Sequence, residues 1–388
     1  MIDKYELITC NGCQMCKEVC PKQAIRYEIN KEGFWFPKVD YTKCVACGIC
    51  IKKCPNKTTL KNTFNQPIVK AVWSVDDNVR LASTSGGLFY ELATFVLKND
   101  GYVAGCVYND DFKGAHHTII NRLEDLPPLM VSKYVESNME GIYPQVNGKL
   151  QTGKLFLFVG SPCQCAGLIS YLGKDYDNLI VVDFLCRGAN SPKAWAKYVE
   201  YLEKTYGGKM TSLRCKDKSR GWDSLGVRAV FDNGAEYYAD SRHDLRVIAY
   251  HRGNLMERES CNDCKFKTLP RYSDITLGDF WGIKAEEVVD IEKGVSLCFI
   301  NSSKGMFLFD HIKDRLHVLD KTLEDAEKGN SAIHVSAKKG KNRDRFLSQL
   351  DALPFDVLVN KYKDKDPSTI KKVVGKLKRI IKKVIGRE

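Results

Sequence analysis

Several things are missing from this 388-residue chain, and each absence narrows what it does. No apolar run is long enough to span a bilayer. The N-terminus, MIDKYELITC, has no basic flank followed by an apolar stretch, so no secretory leader is expected and the protein is expected in the cytoplasm. No G-x-G-x-x-G and no G-x4-G-K-[ST] occurs, which leaves a Rossmann dinucleotide site and a P-loop unsupported. A reducing compartment does not keep structural disulfides, yet the chain holds 16 cysteines, so these point to metal binding or catalysis. The length suggests two or three domains, and a composition of 44% hydrophobic and 28% charged residues is that of an ordinary globular protein.

Eight cysteines form a tandem repeat. Cys10, Cys13, Cys16 and Cys20 precede Pro21, and Cys44, Cys47, Cys50 and Cys54 precede Pro55. Each set reads C-x2-C-x2-C-x3-C-P, the bacterial ferredoxin run, in which the fourth cysteine ligates the other cluster. The expected pairing is Cys10, Cys13, Cys16 and Cys54 on one [4Fe–4S] cluster, and Cys44, Cys47, Cys50 and Cys20 on the second. Gly12 and Gly48 stand where the loops must bend tightly around sulfur. Paired zinc sites are the competing reading, but zinc usually takes two separated C-x2-C pairs. The intervening AIRYEINKEGFWFPKVD alternates enough for a hairpin. Two such clusters make a one-electron relay, and the rest of the chain must hold its destination.

The polar segment 56–70 reads as a linker or an extended crossing segment. Then Ser83 to Gly87, STSGG, precedes LFYELATFVLK, whose Leu88, Phe89, Leu92, Phe95 and Val96 recur at helical spacing, and YVAGCVY reads as a strand. A Ser/Thr/Gly cluster opening a helix suits an anion, although an ordinary N-cap needs no more than one Ser or Thr. Residues 150–206 read strand, helix, strand, helix, which implies parallel strands with ligands at their carboxyl ends. SerProCys at 161–163 and CysArgGly at 186–188 both fall there, so Cys163 and Cys186 are expected on one rim. VRAVFDNGAEYYAD is a hairpin with Asn233-Gly234 as its turn. Cys261 and Cys264 form a C-x2-C pair on a polar loop, followed by the strand and turn DITLGDFWG.

Cys106, Cys215 and Cys298 lie within strand-like stretches and read as buried filler. Cys163, Cys186, Cys261 and Cys264 supply four thiolates, enough for a third [4Fe–4S] cluster. A structural zinc, a dithiol at Cys261/Cys264, or no site remain open on spacing alone. In GSPCQCAG, residues 160–167, Cys165 stands one residue from Cys163 and could be its partner or filler.

Taken in order, the two-cluster head, STSGG, SKYVES (132–137), GSPCQ (160–164), Cys-x-Gly (186–188), C-x2-C (261–264) and RYSDITLGDFWGI (271–283) resemble the coenzyme F420 hydrogenase/dehydrogenase beta-subunit family, from about residue 5 to about residue 310. Bacterial and plastid reductases such as 7-hydroxymethyl chlorophyll a reductase share this pattern. The resemblance implies an iron–sulfur flavoprotein oxidoreductase, with FAD in the α/β domain beside that domain's own cluster. By motif, Ser85, Gly86, Gly87 and Lys133 would contact the flavin, Asp279 and Trp281 would line its pocket or form a structural turn, and Cys163, Cys186, Cys261 and Cys264 would hold the third cluster. It names no catalytic residue. Cys165 departs from the family pattern, in which an aliphatic residue is usual, and this favours filler.

The expected fold is α+β. A two-cluster ferredoxin domain (1–66) precedes a mixed α/β flavin domain (67–150 and 151–350) and a C-terminal amphipathic helix (365–388). Residues 368–388 carry eight Lys/Arg and one Glu, +7 of the net +12. Their apolar positions, Ile370, Val373, Val374, Leu377, Ile380, Ile381, Val384 and Ile385, share one helical face, which suits attachment to an anionic membrane surface or docking on protein. The tail lacks aromatics, so no nucleic acid is expected. The expected partners are a redox protein, ferredoxin or an oxidoreductase subunit, and a small-molecule acceptor, coenzyme F420 or another. A non-catalytic electron-transfer subunit feeding a separate enzyme is the alternative.

Overall fold

The computed structural model describes residues 1–4, 7–57 and 64–363. The helix expected over 365–388 and residues 58–63 of the polar segment lie outside the described residues.

The head is built around two short helices, α1 (Met15–Glu18) and α2 (Ile49–Lys52), one per cysteine run. Each begins after a left-handed residue, Gln14 at φ 64° and Gly48 at φ 74°. Gly12 is left-handed as well, at φ 70°, so both glycines expected at the tight bends are where the chain turns. Gln14 tolerates the conformation because its buried side chain accepts from Met139 N–H at 3.1 Å, outside the head. The hairpin forms as expected: β1 (Ile25–Ile29) pairs antiparallel with β2 (Trp35–Val39). Ile2, Ile25 and Val39 pack with Cys16 and Cys50 as the head's small core.

The large domain starts with β3 (Ile68–Ser74), α3 (Asp77–Ala82), α4 (Leu88–Lys98), β4 (Tyr102–Tyr108) and β5 (Ala115–Ile120). It continues through α5 (Ile142–Leu150), β6 (Phe156–Val159), α6 (Pro162–Leu172), β7 (Leu179–Phe184) and α7 (Pro192–Tyr206). A hairpin-linked trio follows, β8 (Met210–Asp217), β9 (Gly226–Phe231) and β10 (Glu236–Asp240), with its β9–β10 turn at Asn233-Gly234. β11 (Ile275–Asp279), β12 (Ser296–Ile300) and β13 (Leu316–Lys321) complete the strands.

Eight strands form one mixed sheet in the order β13-β3-β12-β11-β7-β6-β4-β5, and β10-β9-β8 form a second. The expected βαβα unit is its centre, where β11, β7, β6 and β4 run parallel and the outer strands are antiparallel. Central strands are apolar on both faces. Leu157, Ile180 and Val182 pack under α4 with Leu88, Leu92 and Val96, while Phe156, Phe158, Leu179 and Val181 pack under α5 and α6. The segment read as a linker over 56–70 ends differently from that expectation: Ile68, Val69 and Lys70 already belong to β3. That strand is bracketed by β12 and β13, and burying Val69 and Ala71 outweighs the polar character of the stretch before it.

Candidate redox site

The head brings its eight thiols into two groups. Burial pushes the Cys13 thiol up to about 12, and Cys54 and Cys10 lie close enough to push it further. The same three neighbours, Cys13, Cys10 and Cys54, act on Cys16, whose thiol burial also raises. Thus Cys10, Cys13, Cys16 and Cys54 face one another across the two runs. Cys20, Cys44, Cys47 and Cys50 instead line one cavity of about 370 Å³ with Pro21, Ala24 and Val39. These are the crossed groupings that the spacing implies. Tyr27 closes the first, its hydroxyl 2.9 Å from Cys16 Sγ.

Cys163 sits where β6 gives way to α6. Pro162 opens that helix, and Ser161 N–H donates to Gln164 Oε1 at 2.9 Å, which fixes its first turn. Cys186 follows β7, and Cys261 and Cys264 lie in the 3-10 turn Glu259–Asp263 and just after it. The four converge. Burial raises the Cys163 thiol most, and Cys264, Cys186 and Cys261 each add to it. Cys186 is pushed up to about 11 and Cys261 to about 12 for the same reasons. Gly188 makes the approach possible, because a Cβ there would stand 3.2 Å from Cys261 Cβ. Buried Lys267 lies near Cys186, Cys264 and Cys261 and offsets their charge if they ionise. Ala166 and Phe266, packed against Cys163, Cys264 and Tyr272, close the apolar side.

Cys165 is not a member. It is 1% exposed, packs in the core under α5 and α6, and points its thiol at Val182 O and Gly160 O, 3.4 and 3.5 Å away. Cys298 and Cys215 are also buried in strands, and Cys106 is half-buried. Among the described residues no three His, Cys, Asp or Glu side chains converge tightly enough to hold a single metal ion. A tetrahedral zinc with Zn–S bonds of about 2.3 Å would need sulfurs only about 3.8 Å apart.

The third group lies against the first. Ser260 Oγ and Arg258 Nε both donate to Cys10 O, at 2.9 and 2.6 Å. Tyr143 Oη donates to Cys13 O at 2.7 Å, and a Cβ on Gly167 of α6 would be 3.3 Å from Cys13 Cβ. Lys265, beside Cys264, donates to Pro55 O and Asn56 O of the second run.

The residues expected at a flavin occupy neighbouring loops. Gly86 is pressed against β3 and β12, its N–H donating to Ser296 Oγ at 2.9 Å, and a Cβ there would meet Val72 O at 2.5 Å. Ser85 Oγ donates to Val295 O at 2.9 Å. Gly87, at φ 95°, begins α4 with no side-chain cap. Ser132 Oγ reaches Thr84 Oγ1 at 3.3 Å and so joins this loop to the one carrying Lys133. Lys133 donates to Pro128 O, lies 5.9 Å from the Tyr108 ring, and is lowered to about 8 by burial. Asp279 pairs with Lys216, and Trp281 stacks on Trp222 at 4.4 Å.

Residues 153–325 match the family described as the C terminus of the coenzyme F420 hydrogenase/dehydrogenase beta subunit, and residues 9–58 match a 4Fe-4S dicluster domain. The chain belongs to the F420 hydrogenase/dehydrogenase beta-subunit family. It shares 44% identity over 62 residues with one component of the Na(+)-translocating ferredoxin:NAD(+) oxidoreductase complex of Acetobacterium woodii, covering 16% of this chain and 17% of that one. It shares 33% over 54 residues with the ferredoxin-type protein NapF of Haemophilus influenzae, 14% of this chain and 31% of that one. The chain therefore spans less than a third of the length of these curated relatives. Among solved structures, a chain of the F420-reducing [NiFe] hydrogenase complex of Methanosarcina barkeri aligns with a TM-score of 0.45 and 14% identity, over 79% of this chain and 98% of that one. The protein is thus an iron–sulfur electron-transfer protein related to the F420 hydrogenase beta subunit.

Within this beta-subunit frame, several residues near Lys133 carry no motif signal of their own. Tyr134 stacks edge-on with Tyr250 at 5.7 Å, and Tyr250 Oη donates to Gly188 O at 2.9 Å, which connects the Lys133 loop to the turn after Cys186. Arg246, 1% exposed, lies 4.9 Å from the Tyr134 ring, and its Nε and Nη1 have no hydrogen-bond partner. Arg187 lies 5.5 Å from the Tyr250 ring, and Arg214 donates to Ala82 O beside STSGG. The Nε of each is buried and unpartnered in the same way. Unpaired buried guanidinium donors are costly. Three of them between the Tyr134–Tyr250 pair and the STSGG loop suit an anionic, planar group, so the donor set fits a flavin and its phosphates. Only the residues Lys133 and Tyr134 within SKYVES offered a hold on this region from sequence.

Proposed function

We propose that this chain is an iron–sulfur flavoprotein oxidoreductase. When bound, [4Fe–4S] clusters carry single electrons and FAD exchanges them for electron pairs delivered to, or taken from, a small-molecule acceptor such as coenzyme F420. Cys10, Cys13, Cys16 and Cys54 hold the inner head cluster, and Cys20, Cys44, Cys47 and Cys50 the outer one. Cys163, Cys186, Cys261 and Cys264 hold the third. Ser85, Gly86 and Gly87 present backbone to the flavin, and Lys133 sets a cation near it, with Tyr134 and Arg246 beside them. Phe266 and Ala166 keep water from the third thiol group. The observation that carries this reading is the convergence of four cysteines from three separate loops directly against the Cys10 loop of the head. In that position the third group stands on the route from the head to the Lys133 region.

Anaerobically purified protein is expected to hold about twelve irons by the four-thiolate rule and to release flavin on denaturation. Cys163→Ser should lose about four irons, while Cys165→Ser should keep all of them. Zinc in place of iron, or equal losses in both variants, would overturn the assignment. The similarity to one component of a larger complex favours a second reading, a non-catalytic electron-transfer subunit for a separate enzyme. Iron without any flavin would select it. The basic tail, in either case, attaches the cytoplasmic protein to an anionic membrane surface.

A further inference from the structure

One buried ion pair lies in the seam between the head and the large domain. The Arg258 and Glu136 side chains are 1% and 4% exposed. Arg258 Nη1 donates to both Glu136 oxygens, at 2.9 and 3.0 Å. Its Nε donates to Cys10 O and its Nη2 to Trp35 O at 2.8 Å, and the guanidinium rests 4.3 Å from the Phe36 ring. On the other side Cys261 N–H donates to Arg258 O at 2.9 Å. The charge of Arg258 reaches Cys10 and Cys13 of the inner head group and Cys261 of the third. A Cβ on Gly12 would run into the Glu136 carboxylate and come within 3.0 Å of Arg258 Nη1, so nothing separates the pair from the Cys10–Cys13 loop.

Holding two domains together does not require this. A buried ion pair is usually no more stabilising than apolar side chains of the same volume, because desolvation cancels the attraction. What an apolar clamp lacks is charge facing both thiol groups. Reduction adds one negative charge, which a nearby cation favours and a nearby anion opposes, the more so where little water screens them. Arginine stays charged under any condition the protein survives.

We propose that Arg258 and Glu136 are positioning residues that set the reduction potentials on both sides of the seam, Arg258 raising them and Glu136 lowering them. The inference rests on the reading that the thiol groups hold [4Fe–4S] clusters. An electron crossing the seam removes one negative charge from one side and adds one to the other. No bond or proton moves at Arg258, and the electron comes from the low-potential one-electron donor that feeds the head.

The test is a redox titration at pH 8, followed by electron paramagnetic resonance and paired with an iron assay, on the full chain and on Arg258→Gln, Arg258→Lys and Glu136→Gln. At a fixed solution potential, Arg258→Gln should lower the reduced-to-oxidised ratio of the inner head and third clusters about tenfold, ~59 mV for one electron. Glu136→Gln should raise it by a similar factor. Arg258→Lys should stay within about twofold of the parent, and the outer head cluster should not move in any variant. A purely structural pair predicts shifts of the same sign in Arg258→Gln and Glu136→Gln, with no rescue by lysine, and that result overturns the inference. So does the absence of any shift in protein that holds about twelve irons. A parent chain without iron overturns the underlying cluster reading instead. If Arg258→Gln does not fold, the direction of the Glu136→Gln shift decides alone.

Discussion

Replacing Gly167 with alanine adds a single methyl group at the contact between α6 and the head and touches no thiol. That methyl would stand 2.7 Å from Tyr143 Oη and 3.3 Å from Cys13 Cβ. Tyr143 is fully buried, and its hydroxyl lies 2.7 Å from Cys13 O and 3.2 Å from Gln164 O. It cannot retreat without surrendering those acceptors. Losing that hydrogen bond costs about 1–3 kcal/mol, and overpacking a tight site about as much again. Alanine gains back about 1 kcal/mol of helix propensity over glycine. The net expectation is a destabilisation of about 3 kcal/mol, read from anaerobic denaturant unfolding, with the iron content unchanged under native conditions. Gly148→Ala in α5 is the control, since nothing lies within 4 Å of its added methyl. It should be neutral or stabilising by up to about 1 kcal/mol. If the two variants unfold alike, α6 does not grip the head as the distances say, and the seam argument weakens with it.

Two further outcomes follow from other parts of the chain. His117 is buried between Val159 O and Ser137 Oγ, and burial lowers it to about 4 from the ordinary 6.5. Between those values the unfolded chain binds a proton that the folded chain refuses, so this residue's contribution to stability is lost as pH falls from about 6.5 to 4. The difference between the parent and His117→Gln should therefore change by about 3 kcal/mol across that window, and a pH-independent difference would refute it. The tail makes a separate prediction: the full chain should float with anionic vesicles and not with zwitterionic ones, and a chain ending at residue 363 should float with neither. Equal flotation of both chains would place membrane binding elsewhere or nowhere.

The parts of the site that sequence made visible are those with local grammar. The two C-P runs, the Asn233-Gly234 hairpin and the βαβα stretch around Cys163 each depend on neighbours a few residues away, and the structure has all three. The seam was invisible because its contacts are distant in sequence: Glu136 and Arg258 are separated by 122 positions, and Arg258 meets Cys10 across 248. Neither side chain has a spacing that announces its partner. STSGG shows a different limit. A glycine pair before a helix signals close approach of backbone, and Gly86 does lie against Val72 O and Ser296 N–H of adjacent strands. The same pattern serves a ligand or a neighbouring strand equally well, so local sequence cannot choose between them.

Burial across the thiol groups gives the relay a direction in space. Of the sixteen cysteines only Cys47 is exposed, and Val45, at 59% exposure, and Lys22 border the same cavity. The inner head group and the third group are enclosed by Tyr27, Tyr143, Phe266 and the Arg258–Glu136 pair. A one-electron relay needs a partner to reach one end and needs water excluded from the middle, because each transfer moves a charge whose energy depends on its surroundings. The loop carrying Cys47 is the end a redox protein can touch. The Lys133 loop, joined to Cys186 through Tyr134, Tyr250 and Gly188, is the end where buried guanidinium groups stand without partners. The seam between them is dry and carries opposite charges side by side, so perturbing it should alter the energetics of transfer while leaving both ends intact.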